Sequence, residues 1–140
     1  TFGGCKNFYG EIRLPDGLQW LGPGAFEYCE NFSGDIIIPQ GVTSIPYGCF
    51  SNTWVGGALV LHDGVTTIGD FVFYGCSNFT SITVEATSPP YLELDDQGNY
   101  TQFNNTNNCP IYVPEDSLSE YRTATNWSNY ASRIKPMIIT

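Results

Sequence analysis

Charge is scarce in this 140-residue chain, and positive charge is scarcest: charged residues make up 14%, with 5 Lys and Arg against 14 Asp and Glu. The net charge of −9 at pH 7 repels polyphosphate, and no basic run offsets it. Nucleic acid is thereby excluded as a partner, and anionic membrane surfaces are disfavoured. His62 is the single histidine, so a His-based triad or metal cluster lacks its commonest residue. There is no Cys-x-x-Cys or Cys/His cluster, which argues against a zinc site. No apolar run approaches the ~20 residues that span a bilayer, so no membrane insertion is expected within this fragment. Long periodic stretches of Ala, Glu, Lys and Leu are missing too, which excludes a helix bundle. The opening Thr-Phe-Gly-Gly has neither the basic nor the apolar region of a signal peptide. It also lacks a start-like cap. The expectation is a piece cut from a longer protein whose targeting signal lies upstream.

What the chain does have is 15 glycines, 15% aromatic residues and 41% apolar residues, enough for one continuous core with many tight turns. These residues recur with a period. Cys5, Phe8, Ile12, Leu14, Gly17 and Phe26 in the first unit match Cys29, Phe32, Ile36, Ile38, Gly41 and Phe50 in the second. Leu59, Leu61, Gly64, Val65, Ile68 and Phe73 follow in the third, and a fourth begins at Cys76 with Phe79, Ile82 and Val84. Gly17 to Gly41 is 24 positions and Gly41 to Gly64 is 23, and Phe26, Phe50 and Phe73 keep the same steps.

One unit is readable in physical terms. Ile12-x-Leu14, Ile36-x-Ile38, Leu59-x-Leu61 and Ile82-x-Val84 alternate with period two, so each predicts a short strand with one buried face. A following Pro-x-Gly, or His-Asp-Gly in the third unit, ends the strand in a turn. Val42-x-x-Ile45 and Val65-x-x-Ile68 supply a second buried edge, and an irregular or short helical return puts one Phe inward. A single coil cannot bury its apolar face, so coils stack. The predicted fold is a mostly β solenoid of parallel short strands over residues 1–84, with a loop insertion at 85–108. A last strand at Ile111–Val113 and a capping helix complete 109–140, and all 140 residues form a single domain. The helix is expected to begin at Pro114-Glu-Asp and to seal the core with Leu118, Tyr121, Ala124, Trp127, Tyr130 and Ile134.

The pattern Cys-x-x-Phe-x-x-x-Ile-x-Ile-Pro-x-Gly-Val-x-x-Ile-x-x-x-x-Phe resembles the BspA-type leucine-rich repeat of bacterial surface proteins from Bacteroides-like organisms. The ending from Cys109 through Pro114, Tyr121, Trp127 and Tyr130 is similar to the terminal unit of those proteins. The resemblance covers residues 5–84 and 109–136. It implies a leucine-rich-repeat-like solenoid on a protein that is secreted or held at the cell surface. It further implies adhesion to host matrix, to other cells or to glycans. The family is defined by its scaffold, so no ligand carries over.

Cys5, Cys29 and Cys76 share a repeat position and are expected to form a buried column of small apolar side chains. Cys49 takes the place of Ala25, and Cys109 opens the last strand. His62 replaces Pro15 and Pro39 and is expected to be a solvated turn residue. Asp95-Asp96-Gln-Gly-Asn99 lacks the spaced ligands of a calcium loop. The sequons at Asn31, Asn78, Asn99, Asn104 and Asn126 are inert in a bacterial protein, and Asn7, Asn31 and Asn78 simply share a repeat position. No catalytic residue, metal or cofactor is expected.

The pleat supplies the candidate binding site. Residues between the inward pairs form an outward row, Arg13, Ile37, Val60, Thr83 and Tyr112, flanked by Glu11, Asp35, Ala58 and Ser81. The expected function is a non-enzymatic adhesion or recognition module. It would bind a host or microbial surface protein, or a glycan, through that sheet face. The alternatives are a structural spacer within a larger surface protein and an accessory domain of a glycan-degrading enzyme.

Overall fold

The computed structural model describes residues 10, 12–31, 33–99 and 101–137. Cys5, Asn7, Phe8, Glu11 and Phe32 lie outside these residues. The period-two runs Leu59–Leu61 and Ile82–Val84 lie in a five-stranded parallel sheet in which each strand pairs with a strand of the next coil. Its members are β1 (Ser33–Gly34), β3 (Trp54–Leu61), β5 (Asn78–Val84), β7 (Ile111–Val113) and β8 (Ile134–Pro136), in that order. A second parallel sheet joins β2 (Ser44–Ile45), β4 (Thr67–Ile68) and β6 (Tyr91–Leu92). The two sheets are the two apolar edges of each coil, and their inward residues Val42, Ile45, Leu59, Leu61, Val65, Ile68, Ile82 and Val84 are buried.

The returns between sheets are turns, and they also bond rung to rung. The N–H of Phe26 donates to the Cys49 carbonyl at 2.8 Å, and that of Phe50 donates to Val72 at 3.0 Å. This registry stacks the inward aromatics. Phe26 and Phe50 lie 5.6 Å apart with planes at 4°, and Phe50 and Phe73 lie 6.0 Å apart at 2°. Each such ring contributes roughly 1.5–3 kcal/mol by leaving water, plus the pair interaction.

Several expectations need correction. Ile12 is buried, but the Ile12–Leu14 stretch is not a strand, and Ile36–Ile38 joins the ladder only through a single Ile37–Val60 bridge. Ile111–Val113 is not the last strand, because Ile134–Pro136 pairs with it in parallel and forms the edge. An edge carrying Lys135 and Pro136 offers a poor template for further pairing.

The stretch from 85 to 108 is not wholly outside the repeat. Tyr91–Leu92 extends the second sheet, and Phe103 stacks on Phe73 at 6.3 Å and 12°. Five positions separate Ile68 from Phe73, but eleven separate Leu92 from Phe103, so the added residues sit between those two anchors. They fold around Asp95, whose Oδ1 accepts the N–H groups of Gln97 and Asn99 at 2.9 and 2.8 Å.

The cysteine column is interrupted. Thr53 occupies the rung between Cys29 and Cys76, and its hydroxyl lies 3.5 Å from the Cys76 sulfur while donating to the Phe50 carbonyl. Cys29, Cys49, Cys76 and Cys109 are buried thiols.

At the C-terminal end a 3-10 turn (Glu115–Ser117) runs into α1 (Leu118–Thr123), and a second 3-10 turn (Ser128–Arg133) follows. Tyr121, Trp127, Tyr130 and Ile134 are buried, while Leu118 and Ala124 pack partly against the core. Polar tips are satisfied on the long coil: Tyr121 Oη donates to Ala86 at 2.6 Å and Trp127 Nε1 to Pro90 at 2.8 Å.

Candidate functional site

In a parallel ladder, residues in register sit one above another at roughly 4.8 Å. Ile37 is bridged to Val60, Val60 pairs with Thr83, Thr83 with Tyr112, and Tyr112 with Lys135. Four of the five row residues named from the sequence are thus brought into one line. Arg13 is exposed but lies outside the paired strands. Lys135, which sequence reasoning missed, ends the row at the far edge. Its 23-residue spacing from Tyr112 was a usable signal.

The row is uneven. Ile37 is 77% exposed and Val60 42%, whereas Thr83 and Tyr112 are half-buried. The protruding pair borders a shallow depression of about 200 Å³ that Asp35, Ala58, His62 and Glu85 help to line. Asp35 and Glu85 are both exposed, so two branched apolar side chains stand between two carboxylates. In the flanking row Ala58 pairs with Ser81. Just before Ala58 the register shifts at Gly57, whose φ is +74°. A side chain there would meet the Asp35 carboxylate, so the glycine lets Asp35 fold across the bulge.

His62 forms the floor rather than a solvated tip, contrary to expectation. It is 4% exposed, and its Nε2 lies 3.0 Å from the Pro39 carbonyl oxygen and 2.9 Å from that of Val42. The Gly64 N–H donates to Nδ1 at 3.0 Å. Only an Nε2–H can serve two carbonyls while Nδ1 accepts, so the network places the proton on Nε2. The imidazole ties its turn to the turn of the previous coil, a role that proline cannot fill.

Elsewhere the ionisable groups read as structure. Burial pushes the Cys49 thiol up to about 12 and the Cys76 thiol to about 11, so neither is a ready nucleophile. Burial raises Tyr121 as well. Asp95 is held below the usual carboxylate range, first by the Asn99 N–H and also by that of Gln97. That carboxylate shapes a turn. Among the described residues no three His, Cys, Asp or Glu side chains gather as a metal group, and no helix is long and apolar enough to cross a membrane.

A family model for the BspA-type leucine-rich repeat region matches residues 1–115 in six copies. The matched span includes the long coil around 85–108. No curated protein matches the chain. With most of its length matched and its coils stacked as parallel rungs, the chain belongs to the BspA-type leucine-rich repeat family.

Proposed function

We propose that the chain is a non-enzymatic recognition module of a bacterial surface or secreted protein, and that its main sheet face docks a protein partner. The partner's matching surface is an apolar patch rimmed by basic side chains. One observation carries this reading: Ile37 and Val60 project side by side from adjacent rungs, between Asp35 and Glu85. Exposed β-branched residues often do no more than favour strand geometry. Ile37, however, enters the ladder by one bridge only, so strand propensity gives little reason for an isoleucine at 77% exposure. Solenoids commonly bind on this surface, and clustered exposed apolar side chains mark interaction sites. The two carboxylates and the net charge of −9 favour a basic rim and steer its approach.

Biolayer interferometry against purified extracellular-matrix proteins and bacterial surface proteins tests the reading. The expected result is saturable binding to at least one of them, with an association rate that falls as salt rises. A folded chain that binds none of them supports the spacer reading instead.

A further inference from the structure

The long coil builds a second surface of different chemistry. Residues 104–108 form a loop that presents Asn104, Asn105, Asn107 and Asn108, and it faces the Ser128–Arg133 turn across an open groove of about 740 Å³. Arg133 fixes the loop from below. Its Nε donates to the Cys109 carbonyl at 2.8 Å, Nη1 to the Phe103 carbonyl at 2.9 Å, and Nη2 to the Thr106 hydroxyl at 2.9 Å. Two of the asparagines are structural: Asn107 Nδ2 donates to the Phe79 carbonyl, and Asn104 Oδ1 accepts the Tyr130 hydroxyl. Asn105, Asn108 and, on the opposite wall, Asn129 are exposed, and their amides make no hydrogen bond among the described residues.

The backbone holds this display in a costly form. Asn105 has φ +58°, which the same rung position also shows at Tyr28, Asn52 and Gly75. Asn107 and Asn108 add two successive left-handed residues, at +61° and +49°. Asparagine tolerates that region better than most residues, yet consecutive instances persist only where the surroundings enforce them. A second case stands beside the groove. Phe71 has φ +56° where the preceding coils place Gly24 and Gly48, and its ring lies edge-to-face on Tyr74, a groove wall, at 5.4 Å.

Charge narrows the ligand class. No carboxylate lines the groove, which leaves a cation without a counter-charge. Its one cation, Arg133, already has Nε and both terminal nitrogens engaged, and the chain as a whole repels anions. Neutral amides each offer an acceptor and two donors, the pattern that adjacent sugar hydroxyls complement. The tyrosine wall can take the flat apolar face of a pyranose ring. We propose that this groove binds a neutral oligosaccharide, independently of the sheet face.

The test is an array of neutral, sialylated and sulfated oligosaccharides probed with three proteins: wild type, N105G/N108G/N129A and I37S/V60S/Y112S. Glycine at 105 and 108 keeps the left-handed backbone while removing the amide. Wild type is expected to bind a neutral oligosaccharide, the asparagine variant to bind it roughly tenfold or more weakly, and the sheet variant to match wild type. Absence of neutral binding, a preference for acidic glycans, or full retention by a folded asparagine variant overturns the proposal. Should that variant fail to fold, the side-chain amide signals of wild type decide on titration with the array-selected oligosaccharide. Shifts at Asn105, Asn108 and Asn129 support the site, and shifts confined elsewhere overturn it.

Discussion

Phe73 and Phe103 stack 6.3 Å apart with their planes 12° from parallel, although the chain between them carries an enlarged loop. Phe103 also meets Trp127 at 5.4 Å and Tyr130 at 5.3 Å, so this one ring joins the repeat column to the cap. Truncating it by F103A leaves a cavity at that junction, and a loss of about 3–5 kcal/mol is expected in urea unfolding. A cost below about 1 kcal/mol would mean that the cap stands without the column.

Gly69 is required by space, not by its dihedral. A Cβ there would lie 2.5 Å from the Tyr47 backbone nitrogen and 2.7 Å from the Pro46 carbonyl carbon. The neighbouring coil's backbone cannot retreat without breaking the Gly69 N–H bond to Ile45, which spans 2.7 Å. G69A is therefore expected to destabilise by about 1–3 kcal/mol in spite of the entropy it removes from the unfolded chain. Thermal melts of the two proteins check it.

The buried thiols give a kinetic prediction. Iodoacetamide at neutral pH should leave Cys29, Cys49, Cys76 and Cys109 unmodified in the native protein and should label all four in denaturing urea, as read by peptide mass spectrometry. Thr53 between Cys29 and Cys76 also keeps those two sulfurs from sharing adjacent rungs. Rapid native labelling of Cys49 or Cys76 would contradict the packing described.

Asp70 should make stability depend on pH. Its carboxyl is raised above the ordinary value, first by burial and then by the carboxylates of Glu93, Asp95 and Asp96. A raised value in the fold means that ionisation disfavours it. The penalty is absent below the ordinary carboxylate range and develops as pH rises through it. D70N should accordingly raise the melting temperature at neutral pH and leave it unchanged in acid. The side chain is half-exposed and screened, so the gain stays under about 1 kcal/mol. Asp95 has the opposite sign: its stabilisation is present above the ordinary carboxylate value and is lost as pH falls. A D70N protein stabilised equally at both pH values would refute the electrostatic origin.

Local patterns made the repeat legible, because a period-two pair and a turn glycine are written within a few residues of each other. Ile36, Leu59 and Ile82 recur at steps of 23 residues and share one interior. What escaped was set by partners distant in sequence. His62 reads as a turn residue until the carbonyls of Pro39 and Val42 come within reach from the preceding coil. The rung at Phe103 was hidden by the residues inserted after Leu92, although Phe103-Asn-Asn105-Thr106 echoes Phe50-Ser-Asn52-Thr53. Lys135 was masked because its strand ends in proline rather than in a second branched residue. The asparagine groove depends on Arg133, which no local pattern connects to residues 103–109.

The most direct measurement compares wild type with I37S/V60S/Y112S for binding to whichever panel protein wild type captures, with both proteins shown to be folded by circular dichroism. Ile37 and Val60 are exposed and Tyr112 is half-buried, so the variant is expected to keep the fold with a modest fall in melting temperature. The account predicts at least a roughly hundredfold loss of affinity, as expected when a central apolar cluster is removed. Equal affinity in the two proteins would contradict it and would move recognition off the sheet face.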